Sequence, residues 1–236
     1  MITLLLATKM EAEPLAEKLG ASQVAGEPFA TWRFEPAEGR PGGVIVVAGM
    51  GKDAAARGTE HLITACGASM VINVGICGAL SDGVTADELM RISGAVDGDA
   101  VLADQPAAPV PCSLSAWMDL PARRLASVST PVFDDHQRLK LAAFADAVDM
   151  EGYAVAEVCR RHGVTLFMLK GVTDLANHTG KQDILSNIGR VSTRLAGAVV
   201  AGLAAEKWHG QVLGAPGGDA RATHGEVLGT PDGDAR

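Results

Sequence analysis

Two hydrophobic patterns alternate along residues 1–208: short runs apolar at nearly every position, and longer stretches in which apolar residues return every three or four. Residues 2–7, 44–48, 70–74 and 164–169 are runs of the first kind, which suit strands buried on both faces of a sheet. Residues 11–19, 53–66 and 150–162 follow the second pattern and predict helices. Gly20 and Gly163 stand just past two of these helices, and Arg160, Arg161 and His162 put cations where the helix dipole favours them. Residues 31–34, 89–93, 100–103, 124–129 and 147–149 are further strand candidates. Asp134 and Asp135 cap a helix running to about residue 145, and residues 184–208 predict a long terminal helix. The proline-bearing stretch 105–112 and the polar stretch 175–181 read as loops. Strands alternating with helices predict a single α/β domain over residues 1–208, with a central mixed β-sheet flanked by helices.

The remaining residues have another character. HGQVLGAPGGDAR (209–221) returns as HGEVLGTPDGDAR (224–236), identical at ten of thirteen aligned positions. Two copies of a Gly/Pro/Asp segment are too few to stack a core, so residues 209–236 are expected to be a flexible, disordered tail outside the chemistry.

Composition then narrows the function. The chain is 47% hydrophobic and 4% aromatic, a core of Ala, Val, Leu and Gly, and its net charge of −8 argues against nucleic acid or an anionic membrane as partner. No apolar run approaches a membrane span, and the opening MITLLLATKMEAE, without a basic leader, reads as a first strand. Cys66, Cys77, Cys112 and Cys159 make no C-x-x-C pair and have no paired histidines nearby, which argues against zinc and predicts a cytoplasmic protein.

Candidate chemistry gathers where strands end. Ligands in α/β sheets sit at the carboxyl ends of strands. Asp174 follows a buried run there, Glu151 opens the preceding helix, and Glu11 lies at the first strand-to-helix crossover. Each has a plain alternative, since an acid in a first helical turn favours the dipole and an Asp after a strand caps the next helix. Gly75 and Gly78 at another strand end offer a backbone wall to a ligand. Gly49-Met50-Gly51-Lys52 lacks P-loop spacing and reads as a tight turn.

Five segments in register resemble the nucleoside phosphorylase/nucleosidase superfamily, closest to its methylthioadenosine/S-adenosylhomocysteine nucleosidase branch. They are the first strand with Glu11, AGMGK (48–52), VINVGICGA (71–79), VDME (148–151) and VTDLA (172–176). The resemblance implies hydrolysis of the N-glycosidic bond of a 5′-substituted purine nucleoside. Asp174 would protonate the leaving base and Glu11 would activate water. Glu151 would hold the ribose with Met150 beneath it, and Phe133 would stack on the base. Gly75, Ile76 and Thr173 would complete the substrate site. It implies no cofactor or metal, a small-molecule nucleoside as partner, and a homodimer. Asn73 and Ile76 stand where phosphorylases of the superfamily carry an Arg and a Ser, which favours water over phosphate as nucleophile, while Lys9 and Lys52 keep a purine nucleoside phosphorylase as an alternative. Ile76, Asn177 and a short 95–127 section depart from the branch. They leave open a bulkier 5′ group, of futalosine or adenosyl-hopanoid type, and a relative that binds nucleosides without cleaving them.

Overall fold

The computed structural model describes residues 1–25, 27–117 and 119–205. Along the chain run β1 (Ile2–Leu6), α1 (Lys9–Leu19), β2 (Ser22–Val24), β3 (Ala30–Phe34), β4 (Gly43–Val47), α2 (Lys52–Thr64), β5 (Met70–Ala79) and β6 (Leu89–Asp97). They are followed by α3 (Gly98–Leu102), β7 (Val110–Pro111), β8 (Ala122–Ser127), α4 (Asp135–Ala142), β9 (Ala147–Asp149), α5 (Gly152–His162), β10 (Thr165–Asp174) and α6 (Gly180–Ala205). The expected tail, and the last residues of the expected terminal helix, lie outside the described residues.

All the strands join one mixed sheet. Its long members are β5 and β10, parallel over their whole length from Met70↔Thr165 to Gly78↔Asp174. β10 continues to β6, then β8 and β9, and β9 returns to β5 at Gly78↔Val148, so these five strands close into a ring. β1 also lies on the β9 edge of β5, but farther back, at Leu4↔Ile72 and Leu5↔Asn73, and carries β4, β3 and β2 outward. Among the described residues, no strand lies beside that edge of β5 between Asn73 and Gly78. The sheet parts there, and the parting positions the site.

Side chains fill both faces. Leu4, Leu15, Ile72, Phe167, Val191 and Leu195 lie in the cluster on one face, with α1 and α6, and Leu5, Leu62, Val71, Leu125, Val155 and Met168 in the cluster on the other, with α2 and α5. Burying one such side chain contributes about 1.5–3 kcal/mol, and glycines set the spacing. A Cβ on Gly171 would stand 2.5 Å from Val191, so α6 packs directly on β10 only because no side chain intervenes. Among the described residues α6 is the one helix long and apolar enough to cross a membrane, and its apolar stripe is buried against this core.

Several boundaries differ from the sequence expectations. β5 and β10 run on through Ala79 and Asp174 rather than stopping at Val74 and Leu169, because parallel pairing carries the glycines as strand. Residues 100–103 are not a strand but lie mostly in α3, whose N-cap Asp97 accepts a hydrogen bond from the Asp99 amide. β2 is an addition, paired antiparallel with β3.

Candidate active site

A cavity of about 620 Å³ opens at the parting of the sheet. Glu11 enters it from the first turn of α1. Thr8 caps that helix, and the Glu11 carboxylate reciprocates, its Oε2 accepting from Thr8 N at 2.8 Å and Thr8 Oγ1 at 2.7 Å. Its Oε1 accepts from Ile76 N at 3.1 Å, the amide on the edge of β5 that no strand covers. The capping role and the site role thus hold together, since the capping box aims the carboxylate at the gap.

Asp174 ends β10 on the opposite side of β5. Its Oδ1 accepts from Thr173 Oγ1 at 2.8 Å and its Oδ2 from Ala176 N at 3.0 Å. The next helix begins only at Gly180, so Asp174 is not its N-cap. Burial raises the Asp174 carboxyl above the usual carboxylate range, against the pull of the Thr173 hydroxyl and the Ala176 amide. A Cβ on Gly78 would come within 2.9 Å of Oδ2, so only glycine at 78 leaves the carboxylate where it is.

Glu151 stands at the N-cap position of α5 without capping it. Its Oε1 accepts from Gly51 N at 2.7 Å, in the turn between β4 and α2 where Gly49 and Gly51 have φ of 101° and 91°. Burial pushes the Glu151 carboxyl up to about 7, and Asp149 adds to the push, while Lys170 and the Gly51 amide oppose it. The two raised carboxyls and the capping-box glutamate stand around one cavity as three separate environments.

Ile76, Met150, Phe133 and Thr173 line the same cavity. Phe133 packs on Gly180, where a Cβ would stand 2.8 Å from its ring. Gly75 is not among the lining residues. It lies behind the wall, where its missing side chain leaves room for Glu11 Oε1 and Lys170 Nζ, 3.0 and 3.3 Å from where a Cβ would be. The sequence reading missed the wall that Ile184, Leu185 and Ile188 make along one face of α6, and the pairing of the lining residue Asp149 with Lys170 behind it. The signal for the second was a lysine inside an apolar strand, which is costly unless it has a partner.

Lys52 does not face the cavity as a free cation. Its ammonium binds the carboxylates of Asp97 and Asp99. Burial works against that cation, but the two aspartates outweigh it and hold Lys52 above the ordinary lysine value. Lys181 is the one Lys or Arg among the described lining residues, and Lys9 is not among them. No group of three or more His, Cys, Asp or Glu able to hold a metal occurs among the described residues.

The family model described as the phosphorylase superfamily matches residues 1–204. The chain belongs to the phosphorylase superfamily. Solved structures from this fold agree in architecture. A futalosine hydrolase mutant from Helicobacter pylori aligns with a TM-score of 0.76 at 19% identity, over 85% of this chain and 96% of that one. A 5′-methylthioadenosine/S-adenosylhomocysteine nucleosidase from S. pneumoniae, bound to a transition-state inhibitor, aligns at 0.76 and 19%, over 86% and 98%. The H. pylori nucleosidase, as an aspartate-to-asparagine mutant with 5′-methylthioadenosine in its active site, aligns at 0.76 and 19%, over 85% and 96%. Within the phosphorylase superfamily this chain thus shares a fold with structures named as a futalosine hydrolase and as 5′-methylthioadenosine/S-adenosylhomocysteine nucleosidases.

Proposed function

We propose that the protein is a nucleosidase that hydrolyses the N-glycosidic bond of a 5′-substituted purine nucleoside of the methylthioadenosine/S-adenosylhomocysteine type. The observation that carries the proposal is the placing of Asp174 and Glu11 on opposite edges of β5, facing one cavity, with the Asp174 carboxyl raised by burial. Cleavage sends the electrons of the C1′–N9 bond to the base and leaves cationic character on the sugar. Asp174 gives its proton to N7 of the departing purine. Glu11 orients water toward C1′ and accepts its proton, and the negative charge of Glu11 opposes the cation that forms. Glu151 accepts hydrogen bonds from the ribose hydroxyls in place of the Gly51 amide, Met150 lies under the sugar, and Phe133 stacks on the base. Thr173 orients Asp174, Ile76 presents the amide that holds Glu11, and Gly75 keeps the space between Glu11 and Lys170 open.

Water is favoured over phosphate because an anion in this cavity would meet the carboxylates of Glu11 and Glu151, while Lys181 is the one Lys or Arg among the described lining residues and the Lys170 cation is already paired with Asp149. The apolar wall of Ile184, Leu185 and Ile188 suits a neutral thioether at the 5′ position. Met50 and Leu185 are 71% and 72% exposed at the rim, which suits either a bulkier 5′ group or coverage by a second subunit in a homodimer. A cytoplasmic location goes with the proposal, and Cys66, Cys77, Cys112 and Cys159, all free thiols, support it.

The deciding experiment is a panel of methylthioadenosine, S-adenosylhomocysteine and other 5′-substituted purine nucleosides, each incubated with and without phosphate. Free base with a free ribose derivative in both buffers is the expected result. Ribose 1-phosphate would make the protein a phosphorylase, and tight binding without turnover throughout the panel would make it a non-catalytic relative. Sedimentation as a monomer at micromolar concentration would remove the homodimer.

A further inference from the structure

Among the described residues one lysine–carboxylate pair is sealed from solvent on both sides. Lys170 Nζ lies 2.7 Å from Asp149 Oδ2, with side-chain exposures of 2% and 1%. Such a pair in an apolar interior brings little net stability once desolvation is counted, so stability alone does not account for it.

The surroundings give it direction. Asp149 is held from several elements at once. Ser127 Oγ at the end of β8 donates to Oδ1, and the Gly152 amide at the start of α5 donates to both oxygens, at 3.2 and 3.0 Å. Ser127 Oγ in turn accepts from Tyr153 N at 2.7 Å. Lys170 carries this anchoring forward. Its ammonium and Glu11 Oε1 both lie against the bare face of Gly75, on the side of β5 where the sheet parts. Burial opposes the Lys170 cation, but Asp149, Glu151 and Glu11 together outweigh burial and hold it above the ordinary lysine value.

We infer that Asp149 and Lys170 are a positioning pair, Asp149 fixing a lysine cation beneath the cavity floor where it faces the two carboxylates on the sugar side, Glu11 and Glu151. The catalytic meaning of the pair rests on the nucleosidase reading, whereas its physical content is the field at Glu151, which lines the same cavity as Asp149 two positions along the chain. The groups facing that carboxyl are Asp149 from β9, Lys170 from β10 and Glu11 from α1, with the Gly51 amide from the β4–α2 turn. Cys77 of β5 faces the same charges and is kept a neutral thiol, chiefly by burial. Asp149 favours the protonated form of Glu151 and Lys170 the ionised form, so the two halves of the pair act with opposite sign. A pair that only braced the sheet would alter melting without that signature.

The test is a carbon NMR titration of the Glu151 carboxyl in the full-length protein, compared with the pH profile of kcat/KM for a purine nucleoside. The wild-type midpoint is expected near 7. Asp149→Asn is expected to lower it by about one pH unit or more, and Lys170→Met to raise it by a similar amount. Lys170→Arg, which keeps the cation, is expected to leave it in place, and the kinetic profile is expected to move with the titration. Thermal melts identify any variant that fails to fold, for which Asp149→Ser and Lys170→Gln carry the same expected displacements. A midpoint that stays put, or moves the same way in both charge-removing variants, overturns the inference. So does a pH profile that ignores a displaced midpoint. Displaced midpoints in a protein that cleaves no nucleoside would keep the pair and remove the nucleosidase reading instead.

Discussion

Replacing Asp174 by Asn separates its chemistry from its structural bonds. The asparagine side chain has the same shape, and its carbonyl oxygen can still accept from Ala176 N, now 3.0 Å from Oδ2. Its NH₂ then faces Thr173 Oγ1. That hydroxyl can accept from it by turning its own proton to the Cys77 carbonyl oxygen, already 3.3 Å away. No buried polar group is stranded, so no unsatisfied-group penalty of about 1–3 kcal/mol arises. The charge balance even favours the variant. Burial raises the Asp174 carboxyl in the folded state, so the folded chain binds the proton more tightly than the unfolded one. Stability is therefore lost as pH rises from the unfolded carboxylate value through the folded one, and Asn, which never ionises, escapes that loss. Asp174→Asn is expected to melt at or above the wild-type temperature at pH 7. Turnover has no such compensation, because an amide cannot protonate N7. General acid catalysis contributes about 10²–10⁴-fold, which corresponds to about 2.7–5.4 kcal/mol at the transition state. Measured as base release from methylthioadenosine, kcat is expected to fall within that range. The loss should shrink for a nitrophenyl riboside, whose leaving group needs no proton. Near-normal release of the purine by Asp174→Asn would refute the assignment, whatever the melting temperature.

Other perturbations separate the remaining roles. Glu11→Gln keeps a residue suited to the capping box but has one accepting oxygen for donors at Thr8 and Ile76. It is expected to lose about 1–3 kcal/mol in chemical denaturation and to lower kcat more than it raises KM. Gly75→Ala would put a methyl 3.0 Å from Glu11 Oε1 and 3.3 Å from Lys170 Nζ, and a marked loss of kcat in a folded protein is the expected result of steady-state assays. Glu151 has its carboxyl raised from 4.5 to about 7 in the folded state, so its contribution to stability is present below the lower value and lost as pH rises through the upper one. Melting curves of Glu151→Gln across that window should fall less steeply than those of the wild type, and equal slopes would contradict the raised carboxyl.

Much of this architecture was legible in the sequence because it is written locally. Runs apolar at nearly every position, 3.6-residue periodicity, Gly20 and Gly163 past their helices, and the cap at Asp134 act over a few residues. What escaped was set by distant partners. The glycines of β5 read as a strand end until β10 is laid beside them, and residues 100–103 are β-like in composition but follow an aspartate that caps a helix. Lys170 and Asp149 are 21 positions apart, on strands that are not neighbours in the sheet, so no spacing rule joins them. The acids were found from their places at element ends. Their shared cavity follows from the closure of β9 onto β5, which no local pattern encodes.

The parting of the sheet beside β5 has a spectroscopic consequence. Most amides inside a ten-residue strand exchange with solvent only when the sheet itself opens. The Ile76 amide is different, because its partner is a carboxylate on α1 rather than a neighbouring backbone. Its exchange rate therefore follows the hold of one side chain, while amides in the β5–β10 ladder report the sheet. Anything that draws the Glu11 carboxylate toward a sugar or a water molecule would loosen that single amide and leave the ladder quiet. One cross-peak thus reports where the Glu11 carboxylate is held.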